Sequence, residues 1–202
     1  MMAYKAIKQD VEKVIRLLAK HERLHGKEHY LAMRTRRDRD HFEAAARLIY
    51  LNKTCYNGLY RVNKKGEFNV PMGTYANPNI CDRANLRNVA RALRKASLRW
   101  RKFEEVQPAA GDFVYCDPPY DATYNSYTAP RFGEESQRAL AAKAAEWSRQ
   151  GALVMLSNSD TALIRRLYPK RRWKIIEVTA PRLISCSGKD RKPCQELLIS
   201  NG

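Results

Sequence analysis

Near the start of the chain, Ile7, Val11, Val14, Ile15 and Leu18 recur at helical spacing between charged residues, which predicts an amphipathic helix over residues 3–22. Phe42, Ala45, Ala46, Leu48 and Ile49 form a second apolar stripe and predict a helix over 39–52. The pattern then breaks. Residues 53–81 hold Gly58, Gly66, Gly73, Pro71 and Pro78, with Lys64-Lys65-Gly66 as a hairpin tip, and read as a loop and β-ribbon. Helical character returns over 83–97. From residue 98 onward the pattern alternates, with strands expected at 98–103, 112–117, 151–157, 173–179 and 194–200 and helices at 134–149 and 160–168. Strands separated by helices imply an α/β sheet with helices packed on its faces. The change of character divides the chain into residues 1–97 and 98–202.

Composition narrows what such a fold can serve. The 202 residues suffice for one good core, or a core with an appended module, and 44% are hydrophobic, which places the chain among globular proteins. Lys and Arg number 38 against 21 Asp and Glu, a formal charge of +17. So large an excess points to a polyanionic partner; membranes and plain solubility also use basic surfaces, but interleaved aromatic residues favour nucleic acid. Five cysteines (Cys55, Cys81, Cys116, Cys186 and Cys194) are odd in number and form no Cys-x-x-Cys pair, which argues for free thiols in a reducing cytoplasm. The first residues have no apolar signal core, and no run approaches the ~18 apolar residues of a membrane span.

The most informative short stretch is Gly111–Tyr124, in which the apolar run Phe113-Val114-Tyr115-Cys116 leads directly into Asp117-Pro118-Pro119-Tyr120. The run reads as a buried strand, and in open α/β sheets ligands sit beyond the carboxyl ends of strands. Two prolines fix φ, restrict the residues before them and leave carbonyls available as acceptors. A carboxylate, a carbonyl and an aromatic face within a few ångströms suit a flat base bearing an amino group. A strand-ending turn with a capping Asp is the other reading of the same four residues.

The chain resembles the adenine-specific DNA methyltransferases of the DNA adenine methylase type over nearly its whole length. The resemblance rests on YLNKTCYNGLYRVNKKGEFNVPMGTY (50–75), GDFVYCDPPY (111–120), VMLSNSD (154–160) and PRLISCSGKDRKPCQELLISN (181–201). It implies a partial Rossmann-like methyltransferase sheet carrying a helical and β-ribbon target-recognition module, with double-stranded DNA as partner and S-adenosyl-L-methionine as methyl donor. Asp117 and the Pro118 carbonyl would accept from the exocyclic amine of a flipped adenine, Pro119 would complete the turn, and Tyr120 would stack on the base. Tyr56 and Asn57 would fill the gap left by that base. Leu59, Arg61, Pro71 and Tyr75 would face the recognition site, with Arg61 suited to a guanine edge and Pro71 to a thymine methyl, so that a GATC-like target is expected. No metal is implied.

The family's glycine-rich cofactor loop and acidic ribose contact are not found in this sequence, and Lys102 stands where the family usually has an Asp before FEEV. Of the cofactor contacts only Asp117 is expected to remain. A sheet without its first strands exposes an apolar edge, so either another polypeptide supplies that half or the chain is an incomplete product. Two functions stay open: an adenine methyltransferase, and a catalytically silent DNA-binding remnant that still reads duplex sequence.

Other features are read as non-catalytic. His21, His25 and His29 are spaced four apart, but Gly26 interrupts them and a solvated face is expected rather than a metal site. The basic runs 34–39 and 165–174 are expected to contact phosphate or simply to be solvated. Residues 121–133 are either a closing loop or a connection. Ser157 and Ser159 lack a suitably placed His for nucleophilic chemistry.

Overall fold

The structure is a computed structural model describing residues 1–121, 132–180 and 194–202. It comprises two compact units, Met1–Trp100 and Arg101–Gly202.

The first unit is helical: α1 (Met2–Gln9), α2 (Val11–Arg23), α3 (Lys27–Thr35), α4 (His41–Thr54) and α5 (Arg83–Leu93). The expected single helix over 3–22 is in fact α1 and α2. Asp10 takes an extended φ of −154° and its side chain accepts from the Lys13 N–H, so it caps α2 and separates the two helices. The stripe chosen by periodicity is nonetheless the buried one. Ile7, Val14, Ile15 and Leu18 pack with Ala45, Ala46, Tyr50 and Leu51 of α4. Asp40 caps α4 by accepting from Phe42 and Glu43 N–H groups, and Asp82 caps α5 through Asn85. Periodicity missed α3, whose buried contribution is only Tyr30 and Met33.

Residues 53–81 hold two isolated bridges, Cys55 with Met72 and Val62 with Phe68, in place of a continuous ribbon. The expected hairpin tip is present: Gly66 has φ +78° and its N–H donates to the Asn63 carbonyl.

The second unit carries a four-stranded mixed sheet with order β1-β2-β4-β3, formed by β1 (Phe113–Cys116), β2 (Leu153–Ser159), β3 (Lys174–Ala180) and β4 (Cys194–Ser200). Strands β1 and β2 are parallel and joined through α6 (Glu134–Arg149); β4 lies antiparallel between β2 and β3. This mixed arrangement is compatible with a methyltransferase fold. One face of the sheet packs Val154, Leu156, Leu197 and Ile199 against Leu140, Ala144 and Trp147 of α6 and Ile164 of α7 (Ala162–Leu167). On the other face Tyr115, Ile176 and Val178 are exposed, as is Phe113 at 62%.

Two expectations for this unit need correction. Strand β1 is not buried: it is a sheet edge whose alternate residues face solvent. Residues 98–103 form no strand, and Trp100 there is 89% exposed. An alternating pattern makes a strand only where a neighbour takes up its backbone hydrogen bonds. Among the described residues none does so here, and a short 3₁₀ turn, Phe103–Glu105, follows.

Candidate active site

Parallel pairing of β1 with β2 brings Asp117, at the carboxyl end of β1, beside Ser157 of β2. The Ser157 hydroxyl donates to Asp117 Oδ1 at 3.1 Å, and the Tyr115 hydroxyl donates to Ser157 Oγ at 3.2 Å. One carboxylate oxygen of Asp117 is thereby oriented by a neighbouring strand while the side chain itself stays exposed. Tyr120 is half-buried and its hydroxyl donates to Glu196 of β4 at 3.3 Å. Burial pushes its phenol above the ordinary range, so it stays protonated at neutral pH and can keep donating. Burial likewise raises the Cys116 thiol and keeps it neutral.

The proline carbonyls are not equivalent. Gln137 of α6 donates to the Pro119 carbonyl at 2.9 Å, so that acceptor is already engaged. Beside the turn lies an open cavity of about 760 Å³, whose wall includes Asp117, Pro118 and Pro119 together with Val114, Phe132, Leu140 and Trp147. Lys102, Phe103 and Glu104 from the 3₁₀ turn region also line it. Trp147 is held by donating its indole N–H to the Val106 carbonyl at 2.9 Å.

In the helical unit the segment 52–75 is anchored by the helices beneath it. The Tyr30 hydroxyl lies 3.0 Å from the Val70 carbonyl and 3.2 Å from that of Pro71, and Arg34 donates to Phe68 O. The Tyr56 N–H donates to Pro71 O at 2.9 Å, which brings these two exposed residues together. Tyr56 and Tyr75 are each 46% exposed. Asn57 sits at φ +52°, in the left-handed region, followed by Gly58 at φ +62°. Leu59 departs from this outward set: it is half-buried and packs on the helical core. Arg61 is exposed but tethered, its Nε donating to Asn69 Oδ1 at 2.8 Å and its Nη2 to Asn69 O at 3.1 Å. A guanidinium has five N–H donors, so three remain for an outside partner.

Several polar features differ from expectation. His21 is buried, its Nδ1 lies 3.0 Å from His29 Nε2, and its ring stacks on Tyr50. The histidines are therefore part of a packed cluster, not a solvated face. Among the described residues no group of three or more His, Cys, Asp or Glu is placed to hold a metal. The basic run 34–39 is largely spent internally: Arg36 and Arg39 both bind Glu43, and Asp38 binds Arg47. Their donors hold the Glu43 carboxyl down to about 2. In the second basic run, Arg165 pairs with Asp160 and Glu177. The proposed closing loop falls almost wholly in 122–131, and most of the conspicuous tail in 181–193, including Cys186; both lie outside the described residues.

A family model described as D12 class N6 adenine-specific DNA methyltransferase matches residues 1–184. The chain belongs to that family. Membership makes it an adenine-specific DNA methyltransferase by class. It is 41% identical to a type II methyltransferase of Methanocaldococcus jannaschii, M.MjaIII, over all of this chain and 76% of that one. It is 36% identical to the type II methyltransferase M1.LlaDCHI of Lactococcus lactis subsp. cremoris, over 98% of this chain and 74% of the relative. The DNA adenine methylase of Escherichia coli K12 is 36% identical over 80% of this chain and 60% of its own length. No helix among the described residues is long and apolar enough to cross a membrane.

Proposed function

We propose that this chain transfers a methyl group from S-adenosyl-L-methionine to the exocyclic amine of an adenine flipped out of double-stranded DNA, within a GATC-like site. The observation carrying the proposal is the Asp117-Pro118-Pro119-Tyr120 turn at the carboxyl end of β1, its Asp117 oriented by Ser157 beside the 760 Å³ cavity. The exocyclic amine of adenine is a poor nucleophile because its lone pair is delocalised into the ring. Asp117 and the Pro118 carbonyl accept its two N–H bonds, favour a tetrahedral nitrogen and aim the lone pair at the methyl carbon. Tyr120 stacks on the base and resists its escape. As the N–CH3 bond forms the S–CH3 bond would break, its electron pair returning to sulfur so that the donor leaves as a neutral thioether, and the surplus proton of the nitrogen passes to solvent.

The donor supplies an electrophilic methyl on a cationic sulfonium. Phe103, Phe132 and Trp147 on the cavity wall offer apolar and aromatic surface to such a group, and Glu104 and Asp117 set negative charge against the cations of Arg101 and Lys102. In the same reading residues 1–97 are the target-recognition module and 98–202 the catalytic part. Tyr56 and Asn57 occupy the place of the extruded base, and Arg61, Pro71 and Tyr75 face the recognition sequence, while Leu59 packs on the helical core beneath them. Among the described residues the outer edge of β1 pairs with no strand, and a polypeptide partner contributing to the cofactor site would add there. Work in the cytoplasm, where DNA is available, accords with this role.

Lys102 on the cavity wall favours a second reading, a silent DNA reader, because a cation repels a sulfonium and cannot accept from a purine amine. Calorimetry with S-adenosyl-L-methionine, with and without GATC duplex, separates the two: micromolar binding favours the enzyme, whereas tight duplex binding without cofactor binding favours the reader. Within the enzyme reading, Asp117→Ala abolishes methylation and leaves duplex affinity unchanged. Methylation surviving that substitution would remove Asp117 from the role.

A further inference from the structure

We propose that Gln137 and Asn158 are positioning residues that hold the Asp117–Tyr120 turn in its base-binding shape, an inference that rests on the reading of that turn given above. Neither Pro118 nor Pro119 has an N–H to donate, so the two residues at the centre of the turn supply no backbone donor to hold it. Its anchors come from two side-chain amides, both with no exposed surface. Asn158 of β2 accepts the Asp121 N–H at Oδ1, 2.9 Å away, and donates through Nδ2 to Gln137 Oε1 at 3.0 Å. Gln137 then donates through Nε2 to the Pro119 carbonyl at 2.9 Å. Tyr120 lies between the two anchored residues.

The polarity of this relay has only one solution. Asp121 presents a backbone donor and Pro119 a backbone acceptor, and neither can reverse. Asn158 must therefore point its oxygen at Asp121, which sends its amide nitrogen to Gln137 and leaves Gln137 Nε2 for Pro119. Reversing either amide would oppose two donors or two acceptors in a buried site, which is costly. The Asn158 oxygen also accepts from the Ser159 N–H at 2.9 Å, tying the relay to the end of β2. Two buried amides of mutually enforced orientation fix the positions on either side of Tyr120, and with them the stacking ring and the neighbouring Pro118 carbonyl. A small misplacement of these groups weakens the alignment on which methyl transfer depends.

The test uses the full chain and a duplex carrying 2-aminopurine at the adenine of GATC, whose emission reports extrusion and stacking of the base, alongside steady-state methylation of the ordinary duplex. Gln137→Leu, which keeps the volume and removes both hydrogen bonds, should bind duplex within about twofold of the wild-type affinity. Its 2-aminopurine signal should change several-fold, and kcat should fall about ten- to a hundredfold, the range expected for loss of alignment. Gln137→Glu supplies the second variant. A neutral carboxylic acid can still donate to Pro119 and accept from Asn158, whereas a carboxylate cannot donate. Its signal and kcat should therefore recover as pH is lowered from 8 to 6, relative to the wild type.

A Gln137→Leu chain that folds and keeps both wild-type signal and kcat would overturn the positioning role. So would a Gln137→Glu chain whose pH profile matches that of the wild type, since a purely structural part would show no such recovery. If the wild-type chain binds duplex without any 2-aminopurine response, the base-binding reading itself fails, and the positioning role fails with it. Asp117→Ala in the same assays gives an independent check: it should lose methylation while leaving the relay between Asp121, Asn158 and Gln137 intact.

Discussion

Replacing Tyr168 by Phe should make the protein more stable. Tyr168 has no exposed surface, and its hydroxyl has no hydrogen-bond partner among the described residues. Stripping a hydroxyl of water without giving it a partner costs about 1–3 kcal/mol. Removing the oxygen leaves a void of roughly one atom, worth about 0.3 kcal/mol at about 24 cal/mol per Å³. The edge-to-face contact with Trp173, 5.4 Å between centroids, survives because Phe keeps the ring. The net expectation is a gain of about 1–2 kcal/mol, which for a chain of this size raises Tm by at least about 2 °C. A second signature lies in alkali. Burial raises the phenol of Tyr168, so the folded state keeps its proton above pH ~10 while the unfolded chain releases it. Wild-type stability should therefore fall as pH rises past 10, and the Phe variant should escape that part of the loss. Urea titrations at pH 7.5 and 10.5 read both effects. A loss of more than about 0.5 kcal/mol at neutral pH would show that the hydroxyl is hydrogen-bonded in solution and that this account of the core is wrong.

The His21–His29 contact should make the helical unit acid-sensitive. Burial first, and His29 second, lower His21 from 6.5 to about 4, so the folded state holds it neutral while the unfolded chain takes up a proton near 6.5. The stabilisation is complete above pH ~6.5 and lost as pH falls toward 4, as melts at pH 7.5, 6 and 5 should reveal; His21→Phe should flatten that dependence. At Asn57, φ is +52°, so Asn57→Ala should cost about 1 kcal/mol and Asn57→Gly less than about 0.5. Denaturant midpoints of the two variants check the order, and equal losses would mean that backbone conformation is not what selects Asn there.

Much of the second unit, Arg101–Gly202, was legible in sequence because its signals are local. The helix expected over 134–149 is α6, Glu134–Arg149, since its stripe of Leu140, Ala141, Ala144 and Trp147 has helical period and faces one core. The Asp-Pro-Pro-Tyr turn announced itself through proline chemistry. The residues that anchor it did not. Gln137 is one polar residue on an amphipathic helix, and nothing local separates it from the exposed Arg138 beside it. Asn158 stood out only as part of a motif without an assigned role.

The errors have the same origin. Residues 98–103 carry a plausible alternation, but a strand exists only when another strand pairs with it, and that is a long-range event. The histidine spacing suggested a surface because Lys and Glu surround it, whereas the approach of α3 and α4 buries His21 against His29 and Tyr50. The arginines at 36 and 39 looked available until Glu43, nearly buried at the start of α4, took up their donors.

Sequence alone thus determined the class of fold, most helix and strand positions, the place of the Asp-Pro-Pro-Tyr stretch directly after β1 and, through extended motif resemblance, the family. These follow from short-range periodicity, backbone restriction at proline and runs of contiguous residues. Tertiary structure alone decided which acceptors of the turn are already engaged, which charges are neutralised, and that two buried amides hold Pro119 and Asp121. Hydrogen-bond polarity is settled only when groups distant in sequence come within about 3 Å of one another, and no local pattern encodes that meeting.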